Sequence, residues 1–242
     1  NGGRFYLYSG MTNGASPNYG NLVTVTGGIA VGANSWILPN SHRTNGGSAL
    51  FRSASVTILG STGGFNANGG GFSGGFKAGT NGYGPGGGTN GWVSSGAGYG
   101  GIGGRSVNVV GGPTYGSMSA PVDPGSGAGG RDNGASSVWG NYGGGVVRIE
   151  TPGRVTVNGR ISADAAVNVD AYGGGGAGGS VYIICDTFAG SNGLVTANGG
   201  PGNTDGANKS GGGGGGRIAI YYTNAAAQAA LNASNRPTVV FG

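Results

Sequence analysis

Short runs in which apolar and polar residues alternate recur along the chain, and each run follows a pair of glycines. These joins read GGRFYLY at residues 2–8, GGSALFR at 46–52, GGRSVNV at 103–109, GGVVRIE at 144–150, GGSVYII at 178–184 and GGRIAIY at 215–221. Alternation with a period of two places successive side chains on opposite faces, which is typical of a β-strand. The recurrence predicts a protein built from repeats of one strand-containing unit.

Two of these units align without a gap. In both, the second glycine of the join lies 18 positions before the alanine that closes the unit. Val147 then aligns with Val181 and Ile149 with Ile183, so these four side chains are predicted to share one buried face. The pairs Asn158-Gly159 and Asn192-Gly193 also coincide, and Asn-Gly favours a tight turn with positive φ at the glycine.

Short strands that recur in the same order, each with one apolar face, are typical of stacked repeats. The pattern predicts an all-β protein with a parallel β-helix or related β-solenoid. We expect a single repeat-built domain over residues 1–242, with long glycine-rich insertions at about 69–104 and 111–143. Helical periodicity is nearly absent, and only the segment NAAAQAALN at 224–232 could form a short helix.

Glycine is the commonest residue, with 64 of the 242 positions. It keeps no strict three-residue period, which excludes collagen. The glycine-rich stretches contain large side chains such as Phe72, Tyr99 and Trp139, which flexible linkers rarely carry. One interpretation is an ordered, polyglycine II-like packing of extended segments over the strands, pinned by these aromatic residues; the other is a set of mobile loops.

The distribution of charged and apolar residues argues against nucleic acids and membranes as partners. The net charge is +5, but only 8% of residues are charged, and the arginines are scattered without an Arg-Gly-Gly triplet. A nucleic-acid-binding protein is expected to carry a basic patch or stripe. Because the sequence shows neither, no nucleic-acid partner is predicted. No apolar run is long enough to cross a membrane.

The chain offers no pattern typical of an active site, so we expect a protein that is not an enzyme and has no cofactor or metal. The acidic residues are dispersed; Glu150 and Asp186 fall on the outer face of predicted strands, and Asp164 falls at a repeat corner. His42 is the only histidine and lies in a polar loop. The six glycines at 211–216 lack the Gly-Lys-Ser/Thr ending of a phosphate loop. The single cysteine, Cys185, alternates with apolar residues and is expected to be a buried thiol.

The combination GGSVYIICDTF, GLVTANGG and GGGGGGRIAIYY resembles glycine-rich, repeat-built, adhesin-like surface proteins of extracellular origin. The resemblance covers mainly residues 144–222. It implies a β-solenoid in an extracellular or cell-surface setting and brings no catalytic residues. A looser, compositional resemblance is to phage tail-tip adhesins with polyglycine sandwiches. Two N-glycosylation sequons, at Asn208 and Asn232, would suit a secreted protein.

These observations favour an extracellular structural protein, the subunit of a fibre, filament or surface layer. The alternative is a phage or cell-surface adhesin that binds glycans or proteins through glycine-rich, aromatic loops. Unpaired strands at the ends of a repeat stack favour head-to-tail homopolymers. The predicted interface comprises Arg4, Phe5, Tyr6, Leu7 and Tyr8 of one subunit with Val239, Val240 and Phe241 of the next.

Overall fold

The computed structural model describes residues 2–11, 18–76, 79–131, 139–167, 172–203 and 209–240. Within them the strands are β1 Arg4–Tyr8, β2 Asn21–Thr24, β3 Ile29–Val31, β4 Trp36–Asn40, β5 Ala49–Arg52, β6 Val56–Ile58, β7 Gly64–Asn66, β8 Val146–Glu150, β9 Val155–Val157, β10 Arg160–Ser162, β11 Ser180–Cys185, β12 Phe188–Ala189, β13 Leu194–Thr196, β14 Arg217–Tyr222 and β15 Thr238–Val240. The same residues include helix α1, Ala225–Ala229, and a 3-10 turn, Ala233–Asn235. Strand accounts for 28% and helix for 4%, which confirms the all-β prediction.

The strands form three sheets in which all neighbours are parallel. The six-stranded sheet has the order β1-β4-β7-β10-β13-β15, the five-stranded sheet β2-β5-β8-β11-β14, and the four-stranded sheet β3-β6-β9-β12. From β2 to β14 the chain therefore visits the five-, four- and six-stranded sheets in strict rotation. After β14, where a strand of the four-stranded sheet would come next, the chain forms α1 and then β15.

Side chains from all three sheets meet in one hydrophobic core. Val147 pairs with Val181 and Ile149 with Ile183, and all four side chains are fully buried. The predicted register and the predicted buried face of these two units are therefore confirmed.

Three details differ from the sequence-based expectations. Residues 103–109 form no strand, because Gly103 and Gly104 donate their backbone N–H groups to Gly112 and Gly212 within the glycine-rich part. The first join, β1, belongs to the six-stranded sheet, whereas the joins that begin β5, β8, β11 and β14 belong to the five-stranded sheet.

The Asn-Gly pairs also depart from expectation, because neither glycine has a positive φ. A Cβ atom at Gly159 would lie 2.3 Å from the carbonyl oxygen of Gly63, and one at Gly193 would lie 2.1 Å from that of Val157. Glycine is needed at both positions for close approach of two backbones rather than for a left-handed turn.

The glycine-rich stretches are connections from the six-stranded to the five-stranded sheet. They lie between β7 and β8, between β10 and β11, and between β13 and β14. Their described residues are joined by backbone hydrogen bonds that recur at every third residue. Gly175 and Gly178 donate to Gly211 and Gly214, and Ser94 and Ala97 donate to Tyr172 and Gly175. This bonding agrees with the ordered interpretation for the described residues.

Candidate functional site

The predicted interface residues lie on the two terminal strands of the six-stranded sheet. Residues 4–8 form β1 at one end, and Val239 and Val240 belong to β15 at the other. We call the end with β1 the head and the end with β15 the tail. Phe241 and the sequon residue Asn208 lie outside the described residues. Asn232, the other sequon residue, is exposed between α1 and β15, at the tail.

The head presents a polypeptide edge and large exposed side chains. Trp36 donates to the carbonyl of Gly3, and Ser9 donates to the carbonyl of Asn40. Alternate residues of a parallel strand direct their backbone groups to the same neighbour, so residues 3, 5, 7 and 9 face β4 while residues 4, 6 and 8 face outward. The side chains of Phe5, Tyr6 and Tyr8 are exposed by 52%, 49% and 70%.

The tail has the matching arrangement. Thr238 donates its backbone N–H to the carbonyl of Gly193, which directs the backbone groups of the next residue, Val239, away from β13. The side chain of Val239 packs against the core and is only half-buried. The tail edge is therefore partly apolar, and no described strand pairs with it.

One apolar row runs through the six-stranded sheet from head to tail. Direct strand partners place its members opposite one another in the order Phe5, Ile37, Phe65, Ile161, Val195 and Val239. The inner members Phe65, Ile161 and Val195 are fully buried, whereas Phe5 at the head is half exposed. The two ends of this row are the places where further apolar contact remains available.

Helix α1 closes the tail end of the four-stranded sheet, which sequence reasoning missed. Gln228 lies on α1 with only 8% of its surface exposed. Its Oε1 accepts a hydrogen bond of 2.7 Å from the backbone N of Phe188 in β12, and its Nε2 donates one of 3.0 Å to the carbonyl of Phe188. The carboxamide thus takes the place of a peptide group from a neighbouring strand. A single glutamine among alanines was the only signal in the sequence.

Helix α1 itself begins where the sequence predicts. The side chain of Asn224 accepts a hydrogen bond from the backbone N of Ala227, which is an N-cap. The carbonyl of Asn235, in the following 3-10 turn, accepts a bond from the backbone N of Gly190. The helix and the turn together bond to the edge at and just after β12.

A second surface is formed by aromatic residues of the glycine-rich connections. The rings of Phe76 and Trp139 meet edge to face, with centroids 4.2 Å apart. The guanidinium of Arg131 lies 5.0 Å from the ring centroid of Trp92 and 3.7 Å from that of Tyr172. Trp92 remains 59% exposed although Arg131 is 8% exposed. The cation–π contact with Arg131 stabilises the position of an indole ring that remains largely exposed.

A buried polar cluster joins the glycine-rich part to the five-stranded sheet. The hydroxyl of Tyr99 lies 2.7 Å from that of Ser180 on β11, and Arg217 on β14 donates to the carbonyl of Tyr115 at 2.9 Å. Burial raises the pKa of both tyrosines well above the usual range. Burial also raises the pKa of Asp123, which the positive charge of Arg217 opposes only in part. The cluster fixes the connection, and a cavity of about 220 Å³ lies beside it, lined by Tyr115 and Asp123 among other residues.

Two acidic side chains, those of Glu150 and Asp164, are held by structural partners. Glu150 accepts hydrogen bonds from Arg52 and Arg148; although burial alone would raise the pKa of Glu150, these two partners lower it below its usual value. Asp164 accepts from Thr196 and from the backbone of Asn198. Among the residues that the structure describes, no group of three His, Cys, Asp or Glu side chains could hold a metal ion.

His42 accepts hydrogen bonds from the backbone N–H groups of Thr44 and Asn45, and so closes a local turn. No helix in the described ranges is both long and apolar enough to cross a membrane. Comparison with protein-family models, with curated proteins and with solved structures finds no match to this chain.

Proposed function

We propose that this protein is the subunit of an extracellular fibre, filament or surface layer that assembles head to tail. The observation that carries the proposal is that β1 and β15 are the two terminal strands of the same parallel sheet. A contact between β15 of one subunit and β1 of the next would therefore continue the sheet in the same direction.

The apolar row of the six-stranded sheet gives this contact a register. Continuing the row would place Phe5 of the next subunit opposite Val239. The same register would place Tyr6 opposite Val240. A heterologous contact of this kind, which uses two different surfaces, generates a filament when it does not close on itself.

The rotation of the strands supports the proposal that the three sheets form one parallel β-solenoid, with one strand of each sheet per turn. Neighbouring strands lie about 4.8 Å apart, so a subunit that contributes six strands to one sheet would add about 29 Å to the filament. This axial repeat is a specific consequence of β15–β1 pairing.

The glycine-rich connections fit the same structural role. The three-residue repeat of their hydrogen bonds supports a polyglycine II-like packing, because that extended helix has three residues per turn. Such a packing needs no ligand and leaves the two ends of the strand stack open. An extracellular setting is consistent with the low charge. A glycan at Asn232 would lie at the tail, so subunits within a filament are expected to carry this asparagine unmodified.

A second candidate function is an adhesin that binds surface glycans or proteins through aromatic side chains of the glycine-rich connections. The observation that favours it is the exposed indole of Trp92 against Arg131. A cavity of about 200 Å³ lies beside Trp92 and is also lined by Val107 and Val109. Aromatic side chains held in a fixed position are frequent anchors in binding surfaces.

Electron microscopy of the purified protein at high concentration tests the first proposal. Wild-type protein should form filaments with an axial repeat of about 29 Å. Tyr6→Pro removes an N–H group that faces the next subunit, whereas Tyr6→Ala shortens the same side chain and keeps the N–H. We expect Tyr6→Pro to form no filaments while its circular dichroism spectrum stays that of the folded protein. We expect Tyr6→Ala to form filaments.

Wild-type protein that stays monomeric would overturn the filament proposal. Filaments formed equally by Tyr6→Pro would show that β1 is not the contact. Glycan binding that is lost in Trp92→Ala, from a protein that stays monomeric, would favour the adhesin instead.

A further inference from the structure

A cavity of about 220 Å³ lies where the residues before β5 meet the long connection between β7 and β8. It shares no lining residue with the cavity beside Trp92. Its lining combines polar groups with apolar rings and includes Asn18, Phe72, Pro85, Tyr115, Val122 and Asp123.

The half-buried carboxylate of Asp123 has hydrogen-bonding capacity that the protein does not use. The positive charge of Arg217 acts on this carboxylate, yet none of the described residues donates a hydrogen bond to it. Arg217 donates instead to the carbonyls of Tyr99 and Tyr115. Because burial takes hydrogen bonds with water away from a carboxylate, a donor that enters the cavity restores favourable interactions.

Gly116 makes room for this carboxylate at the cavity wall. Its φ of +70° is a left-handed conformation that glycine adopts readily. A Cβ atom at this position would lie 2.6 Å from Oδ2 of Asp123. Any other residue would therefore collide with the carboxylate, so glycine allows Asp123 to remain beside the cavity.

Asn18 supplies the opposite kind of group. Its Oδ1 accepts a hydrogen bond of 2.9 Å from Nη1 of Arg148, which fixes the orientation of the carboxamide. Its Nδ2 carries two N–H donors, and no residue in the described part of the chain accepts a hydrogen bond from them. The cavity therefore offers an acceptor at Asp123 and a donor at Asn18.

The charges around the cavity favour a neutral ligand. An anion would face the carboxylate of Asp123. A cation would face Arg217, whose charge already acts on Asp123, in a protein of net charge +5. An apolar ligand would leave Asp123 without hydrogen bonds. Neutral hydroxyl groups can donate to Asp123 and accept from Asn18 without adding charge.

The size and the apolar walls of the cavity narrow the choice further. The cavity is smaller than the roughly 300–1,000 Å³ of drug-sized pockets, so it suits one ring-sized molecule. Phe72, Pro85 and Tyr115 contribute rings against which C–H groups can pack. The hydroxyl of Tyr115 donates to the carbonyl of Pro124, which fixes that ring. A pyranose ring has both C–H faces and several adjacent hydroxyl groups.

We propose that this cavity binds one neutral saccharide residue. The carboxylate of Asp123 accepts hydrogen bonds from hydroxyl groups of the saccharide, Nδ2 of Asn18 donates one, and the apolar rings contact its C–H groups. All of these residues belong to one chain. The site therefore exists in a monomer and does not depend on the head-to-tail assembly proposed above.

Saturation-transfer NMR tests the site, because it detects weak ligands of monomers and of filaments alike. The probes are the methyl glycosides of glucose, mannose and galactose, each titrated to give its affinity. Butylamine and sodium butyrate serve as a cationic and an anionic comparison. We expect at least one glycoside to bind with a dissociation constant in the millimolar range, and neither charged compound to compete with it.

Three variants locate the binding, and urea unfolding establishes that each of them is folded. Asp123→Asn keeps the size of the side chain and removes its charge, and it should weaken glycoside binding at least about tenfold. Asp186→Asn changes the net charge equally at a residue outside the cavity lining, and it should alter the affinity by less than about twofold. Val122→Trp should fill the cavity and weaken binding at least about tenfold.

Failure of every glycoside to bind would overturn the proposal, and so would equal binding by wild-type protein and Asp123→Asn. Butylamine that displaces the glycoside would identify a cation site and overturn the saccharide assignment. Glycoside binding that survives in Asp123→Asn and is lost in Trp92→Ala would overturn this site and favour the second candidate function.

Discussion

Replacing Gly213 with alanine should destabilise the protein severely, whereas the same replacement at its neighbour Gly212 should be nearly silent. A Cβ atom at Gly213 would lie 1.8 Å from the carbonyl oxygen of Gly176 and 2.5 Å from the carbonyl carbon. A Cβ atom at Gly212 would lie 3.3 Å from the backbone N of Gly202, its nearest neighbour. The two positions differ by one residue in the same six-glycine run and neither has a positive φ.

The cost at Gly213 follows from the contacts that must open. Relief of the 1.8 Å approach to Gly176 requires the two backbones to separate by about 1.6 Å, to reach a normal carbon–oxygen contact. Hydrogen bonds from Gly213 to Gly200 and from Gly178 to Gly214 lie next to the clash. Loss of two such bonds at about 1 kcal/mol each, together with about 1–3 kcal/mol for overpacking, gives a loss of about 3–5 kcal/mol.

Urea unfolding followed by circular dichroism measures this difference. Gly212→Ala should change the free energy of unfolding by less than about 1 kcal/mol, and a slight increase is reasonable because alanine restricts the unfolded chain. Equal and small effects at both positions would refute the ordered packing of residues 211–216, because a mobile loop accommodates a methyl group at either position.

Three other predictions concern the core and its buried groups. Ile183→Ala should lower the free energy of unfolding by about 2–5 kcal/mol, and a loss below about 0.5 kcal/mol would show that this strand face is outside the core. Asp123→Asn should raise the urea midpoint at pH 7, because a carboxyl whose pKa is raised on folding destabilises the folded state once it ionises. The gain should vanish below about pH 4, where the carboxyl is neutral in both states, and an equal gain at pH 3 would contradict this reasoning. Burial raises the pKa of Cys185 to about 11, so a thiol reagent at pH 8 should label it only as fast as the protein unfolds. Rapid labelling of the folded protein would show that β11 opens to solvent.

In the two aligned units the local sequence determined where the strands lie and which side chains face inward. Alternation in GGVVRIE and GGSVYII is a property of adjacent residues, and the resulting pairs of Val147 with Val181 and Ile149 with Ile183 are present in the structure. The helix at NAAAQAALN was also predictable, since alanine favours helix and Asn224 is a good N-cap.

The tertiary structure decided which neighbour each strand has and how its edges end. The alternation in GGRSVNV equals that of the true strands, yet Gly103 and Gly104 bond to Gly112 and Gly212, which are close only in the folded chain. Alternation specifies the face of a residue and carries no information about the strand beside it.

The capping of β12 by Gln228 and the packing of the glycine-rich connections were equally invisible in the sequence. Glycine has no side chain, so a glycine-rich segment gives no apolar period from which its neighbours could be inferred. Its position is fixed by backbone hydrogen bonds at every third residue to segments far away in the chain, such as those from Gly175 and Gly178 to Gly211 and Gly214. These segments become neighbours only when the strands stack, because stacking brings the ends of the three long connections together.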